Sequence, residues 1–243
     1  NDGLIALIGE NGSGKSNLLE AISAIFNDIL RIKLCTFDYI LEYGINGNLV
    51  SATREKNNTY FKVGNQPVKA DEISSQHLPT RVIANYSGED LRLFENFYRP
   101  SYDKFNKELK NNESIPDLPM IYINKYYWAL CLLSLIYTDF DVHPDISDFC
   151  KNQLGIKSVK NVSFTLDLAI TKKWKDNEPR QLLQAIYNVD DLSNLTNETI
   201  SLTVDELKNR TIFFYGRDID FFQFLYSAYT IKDFKLLTDI SFE

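Results

Sequence analysis

Three observations predict an α/β fold for this 243-residue chain. Leu4-Ile5-Ala6-Leu7-Ile8 is an unbroken apolar run, as expected of a strand buried on both faces of a parallel sheet. A glycine-rich turn, Gly9 to Ser16, follows it at once. Beyond the turn, Leu18, Leu19, Ile22, Ile25, Phe26, Ile29 and Leu30 recur at helical spacing, which predicts a helix from about Lys15 to Lys33.

Further elements follow in order. Phe37, Tyr39, Leu41 and Tyr43 alternate with Asp38, Ile40 and Glu42, the pattern of a half-buried strand. Asn46-Gly47 is a hairpin signal, because both central positions of such a turn need positive φ. The returning strands are expected at Leu49 to Thr53 and Thr59 to Val63, giving a small antiparallel β region. Asn65 to Leu78 is polar and predicts a loop, and Arg81 to Tyr86 predicts a second core strand. From Leu91 to about Leu237 the character is mainly helical and rich in aromatics. Tyr126 to Tyr137 is apolar all round, which predicts a helix buried on every side. Ser158 to Leu168 alternates like a strand. Pro179 to Tyr187 and Asp218 to Tyr229 predict helices, with Thr211 to Tyr215 a short strand or buried segment between them.

Composition limits the possible functions. A hydrophobic fraction of 44% and a charged fraction of 24% are ordinary for a globular chain with a real core. The net charge of −7, from 26 basic and 33 acidic residues, argues against a general nucleic-acid clamp. Cys35, Cys131 and Cys150 are widely spaced and show no CxxC, which predicts reduced thiols in a cytoplasmic protein. His77 and His143 have no paired-ligand spacing for zinc. The apolar stretch from Met120 to Tyr137 contains Asn124 and Lys125 and is too short to span a bilayer. The 14 tyrosines and 16 phenylalanines read as core rather than as a base-stacking platform. Lys172-Lys173-Trp174-Lys175 is the one basic-aromatic cluster, and it reads as a solvated turn.

Gly9-Glu10-Asn11-Gly12-Ser13-Gly14-Lys15-Ser16 has the form Gly-x(4)-Gly-Lys-Ser between a predicted strand and a predicted helix. Such a loop wraps backbone N–H groups round the β-phosphate of a nucleotide, and glycines permit the close approach. The helix N-terminus behind it adds partial positive charge. The candidate contacts are Asn11, Gly12, Ser13, Gly14, Lys15, Ser16 and Asn17. Lys15 would reach the β- and γ-phosphates, and Ser16 would place its hydroxyl on Mg²⁺. Hydrolysis needs a carboxylate at the end of another strand as well. Asp139 and Asp141 read better as the exit loop of a helix, and Asp218 and Asp220 as a helix start. No catalytic residue is assigned. Ser87-x-x-Asp90 reads as a helix cap.

Gly9 to Ile22, continuing through Asn17-Leu18-Leu19-Glu20-Ala21, resembles the phosphate loop and first helix of the ABC/SMC-like ATPases, the group with the RecF- and OLD-type proteins. Leu78-Pro79-Thr80-Arg81-Val82-Ile83-Ala84-Asn85-Tyr86-Ser87-Gly88-Glu89 is similar to a segment of bacterial restriction-system-associated AAA-family ATPases. Tyr127-Trp128-Ala129-Leu130 and Thr238-Asp239-Ile240-Ser241 fit the same family. The resemblance implies a P-loop NTPase (ABC-type head) core with a small antiparallel β region and a mainly helical insertion. On this division, residues 1–89 are the N-terminal half of the head, 90–237 the insertion, and 238–243 the start of a returning strand. The signature segment, Walker B acids and switch histidine have no match and are expected after Glu243. The γ-phosphate-sensing glutamine of such ATPases has no counterpart at Ser87 to Asp90.

The implied function is an ATP-binding and hydrolysing head in a prokaryotic anti-phage or restriction-type defence system. Its cofactors would be ATP and Mg²⁺, and its partners a second head across the ATP and an effector or nuclease subunit. DNA is a possible partner, though not through a strongly basic surface here, and no membrane is implied. The alternatives are a non-hydrolysing nucleotide-dependent scaffold or sensor, a DNA repair ATPase of the RecF/SMC kind, and a small-molecule kinase on the same loop.

Overall fold

The structure, a computed structural model, describes residues 10, 14–86, 91–111, 116–124, 127–138, 141–173, 176–211, 225 and 237–243. It is a mixed α/β structure of two compact units. The first comprises Asn1–Tyr102 with Pro119–Tyr122, and the second Asp103–Leu118 with Ile123–Glu243. The expected strand at residues 4–8, the cap at 87–90 and the helix at 218–229 lie outside the described residues, Leu225 excepted.

In the first unit, helix α1 spans Lys15–Ile29. Four strands follow: β1 (Tyr39–Ile45), β2 (Asn48–Glu55), β3 (Asn58–Val63) and β4 (Gln66–Val68). They form an antiparallel meander in chain order. The Asn46-Gly47 turn has φ of 48° and 75°, as the hairpin signal requires. Residues 65–78 are not simply a loop: they hold β4 and a 3₁₀ turn, Ser75–His77. Three-residue β4 is too short to leave a periodic signature.

Helix α1 also departs from expectation, ending at Ile29 rather than near Lys33. The reason is a Schellman turn. Arg31 takes φ of 57°, its N–H donates to the Asp28 carbonyl, and the Ile32 N–H donates to the Asn27 carbonyl. Glycine usually fills that left-handed position, so an arginine gives no sequence warning.

Two apolar clusters flank α1. Ile29 packs with Tyr39, Val50, Ala52 and Phe61 of the meander. On the other side, Phe26 and Leu30 meet Leu93, Tyr98, Met120 and Tyr122. The Tyr122 ring lies 5.5 Å from Phe94 and 5.6 Å from Tyr98, so these aromatics are core. Tyr122 belongs to β6 (Met120–Ile123), which shares a two-stranded sheet with β5 (Val82–Asn85). The expected second core strand therefore exists, but only one of its faces is covered. Val82 and Ala84 pack inward while Ile83 is 59% exposed. A π-helical turn, Phe94–Tyr98, leads into α2 (Arg99–Asn111).

A polar lock joins α1 to the meander. The Asp28 carboxylate accepts hydrogen bonds from the Cys35 N–H and Arg54 Nη1 on Oδ1, at 3.1 and 2.9 Å. Its Oδ2 accepts from the Tyr39 and Thr59 hydroxyls, at 2.8 and 2.7 Å. The ion pair is almost fully buried, with the Arg54 side chain 3% and the Asp28 side chain 1% exposed. A buried charge is tolerable only when so paired and bonded.

The second unit is built on a three-stranded antiparallel sheet, with central β7 (Asn161–Asp167) between β8 (Asn197–Thr203) and β9 (Leu237–Phe242). The strand expected at 238–243 is thus β9, and its described partner is β7. Residues 90–237 hold strands β6, β7 and β8 as well as helices. Helix α3 (Trp128–Tyr137) is not buried on every side: Ala129, Leu130, Leu133 and Ile136 face inward, while Trp128 is 62% exposed. Helices α4 (Pro144–Asn152), α5 (Glu178–Tyr187) and α6 (Val204–Arg210) complete the described set. Thr203 and Glu206 form a capping box at the start of α6, and the bonds from Thr203 hold the Glu206 carboxyl below its ordinary range. No helix among the described residues is long and apolar enough to cross a membrane.

Candidate phosphate-binding site

Gly14, Lys15, Ser16 and Asn17 occupy the start of α1, whereas Asn11, Gly12 and Ser13 lie outside the described residues. Gly14 is the N-cap residue, with φ of 89° and ψ of 8°. That left-handed conformation favours glycine, and a Cβ placed there would meet no heavy atom within 4 Å. Gly14 offers no side-chain acceptor to the first-turn N–H groups of a 15-residue helix. The positive end of the helix dipole lies at this terminus. Lys15 Nζ donates to the Glu10 carbonyl at 2.7 Å, tying together the two sides of the predicted loop.

Ser16 and Asn17 are exposed. Ser16 lines a cavity of about 110 Å³ with Leu19, Glu20, Tyr86, Arg92 and Leu93. This space suits several waters or a hydrated cation and is too small for a nucleotide. Tyr86 follows directly on β5, so the fold brings the end of that strand to the first turn of α1. Glu20 lies one helical turn beyond Ser16 and pairs with Arg92 at 2.6 Å. Among the described residues lining this cavity, Glu20 is the sole acid, and it is committed to that pair.

Of the candidate acids, Asp141 lies in the second unit beside Lys151 and Lys208, while Asp139, Asp218 and Asp220 are outside the described residues. Trp174 and Lys175 of the Lys172 to Lys175 cluster are outside them too. Cys35, Cys131 and Cys150 are free thiols, and burial pushes the Cys131 thiol up. Among the described residues, no group of three or more His, Cys, Asp or Glu side chains is placed to hold a metal ion.

Sequence reasoning missed Arg92 and the lock at Asp28. Arg92 carries no local signal. Arg54 does, because it follows Val50 and Ala52 at the inward parity of β2. A charge at a core-facing strand position calls for a buried partner. When the chain was compared with family models, curated proteins and solved structures, no match was found.

Proposed function

We propose that the chain is the ATP-binding part of an ABC/SMC-like ATPase head, working in the cytoplasm in a prokaryotic anti-phage or restriction-type defence system. The observation that carries this reading is the junction at the start of α1. Gly14 is left-handed and brings no side-chain cap, and Lys15 reaches back to Glu10, at the start of a helix that follows a Gly-x(4)-Gly-Lys-Ser sequence. Phosphate oxygens would replace the Glu10 carbonyl as acceptors for Lys15, so nucleotide entry exchanges one charge-assisted bond for stronger ones. Ser16 would hold Mg²⁺ at the edge of its small cavity. When bound, the ion neutralises charge on the β- and γ-phosphates. The cavity fits that role in size and in its hydroxyl donor. ATP would bridge two such heads and ADP would not, and that difference in affinity would license an effector or nuclease partner.

Titration calorimetry with Mg²⁺-ATP and a non-hydrolysable analogue tests this, on the chain and on Lys15→Ala. Saturable binding lost in Lys15→Ala is expected, while a folded chain that binds neither nucleotide rejects the reading. Light scattering with the analogue tests the sandwich, for which an ATP-dependent doubling of mass is expected.

A second reading, the non-hydrolysing nucleotide-dependent scaffold, is favoured by one observation. The only described acid beside Ser16 is tied to Arg92 and is a poor base for a water. Steady ATP turnover by this chain would exclude it.

A further inference from the structure

A second cavity, of about 670 Å³, lies at the opposite end of α1 from the loop. Its walls are the Schellman turn after α1 and strands β3 and β4. The volume falls within the range of small-molecule sites. Ile29, Phe61 and Val68 give it an apolar floor, and Leu34 and the Tyr60 ring form more exposed apolar walls. Of the charged residues lining it, Arg31, Lys33, Arg54 and Lys69 are cations and Asp28 is the one anion. In a chain of net charge −7, that is a local reversal.

Arg54 makes the cavity more than a ring of surface lysines. Its guanidinium carries five N–H donors. Nη1 serves Asp28 Oδ1 and the Thr59 hydroxyl, at 2.9 and 3.1 Å. The Nε and Nη2 donors find no acceptor among the described residues, although the side chain is only 3% exposed and lines the cavity. Neither atom is among the fully buried polar atoms without a partner, so both stay within reach of solvent or of a ligand, on a side chain otherwise held in place. Asp28 cannot draw a further cation or repel an arriving anion strongly, since its two oxygens already accept four bonds and its charge is paired with Arg54. Arg31 is held at the rim by the left-handed turn. Lys33 and Lys69 are engaged weakly at the surface, by the Asn96 carbonyl at 3.3 Å and by Glu72 at 3.2 Å.

From this arrangement we infer that the cavity binds a small organic oxyanion, a carboxylate or phosphate monoester with an apolar body. The oxyanion accepts from Arg54 Nε and Nη2 and from Arg31, and the apolar body rests on Phe61, Val68 and Tyr60. The site is separate from the phosphate loop. The helix between them is ~22 Å long at 1.5 Å per residue, so one ligand of this size cannot occupy both.

The test is calorimetry on the whole chain with phenyl phosphate, benzoate and phenol as probes. One saturable site is expected for the two anions, with phenol at least about tenfold weaker, the value of one lost charge-assisted bond. Arg31→Gln with Lys69→Gln, both exposed positions, should weaken the anions by a similar roughly tenfold factor. Lys15→Ala should leave the affinities unchanged, which separates failure here from failure at the loop. A direct readout is the ¹H–¹⁵N resonance of Arg54 Nε, assigned by its absence in Arg54→Lys, which should shift on adding phenyl phosphate. The inference is overturned if neither anion saturates, if phenol binds as well as they do, if the Arg54 signal does not move, or if Lys15→Ala alone removes binding.

Discussion

The two ends of α1 are surrounded in opposite ways. At its start, Gly14 brings no side-chain cap, Ser16 and Asn17 are exposed, and Leu18 and Leu19 are 44% and 43% exposed. At its finish, Ser23, Asn27, Asp28 and Ile29 are buried, and a carboxylate there accepts four hydrogen bonds. One end is left exposed, and the other is committed to holding the fold, with a cavity beside it. The division matters chemically, because an open helix N-terminus binds anions only if the rest of the helix is fixed independently.

The largest expected effect breaks the committed end. Asp28→Ala strands the Arg54 charge and should cost roughly 3–5 kcal/mol in urea unfolding. A loss below about 1 kcal/mol would mean that the lock does not hold the helix. Replacing both partners together, as Asp28→Leu with Arg54→Met, should recover most of the loss, since an apolar pair avoids the desolvation penalty.

At the open end, Lys15→Ala should weaken nucleotide binding by about 1.5–3 kcal/mol, roughly tenfold to a hundredfold or more. Its unfolding free energy should change by no more than about 0.5 kcal/mol. A stability loss as large as that of Asp28→Ala would erase the contrast between the ends.

Tyr39→Phe sharpens the comparison through pH. It removes a donor to a carboxylate and should cost about 2 kcal/mol near neutrality. Burial, and then the Asp28 carboxylate, push the Tyr39 hydroxyl well above its ordinary value. The unfolded chain ionises first, so this contribution is whole below about pH 10. It is then lost as pH rises through the folded value. The parent chain should lose stability more steeply than Tyr39→Phe above that point, and equal slopes would remove Tyr39 from the lock.

The smallest effect has the opposite sign. Arg31→Gly relieves a left-handed arginine and should stabilise the chain by about 1 kcal/mol. A loss of stability instead would show that the Arg31 side chain contributes more to the fold than its backbone costs.

Legibility in the sequence followed the same divide. The strands at 37–43, 49–53, 59–63 and 158–168 stood out because alternation is a local signal, and Asn46-Gly47 named its own turn. The start of α1 was legible because apolar residues from Leu18 onward recur at helical spacing behind the glycine-rich run. The helix end was hidden because Arg31 does in a Schellman turn what glycine usually does. Strand β6 was hidden because Met120 to Ile123 merges into the apolar residues of α3, where periodicity cannot separate a buried strand from a helix. The pairing of Glu20 with Arg92 was out of reach, since nothing local ties residues so far apart. The capping box at α6 was readable as Thr203-x-x-Glu206.

The lock at Asp28 has one more consequence, for how the meander finds its alignment. Strand β2 is eight residues long, and its neighbours are joined through turns at 46–47 and 56–57 in which all four residues take positive φ. Sliding β2 by one residue would turn Arg54 to the outer face and leave the helix carboxylate facing Thr53 or Glu55. Hydrophobic burial alone tolerates some approximate alignments, because Val, Ala and Phe can be repacked at modest loss. An unanswered charge in the interior cannot be accommodated in that way. The buried acid near the end of the helix therefore proofreads the sheet, admitting the one alignment in which its cation arrives.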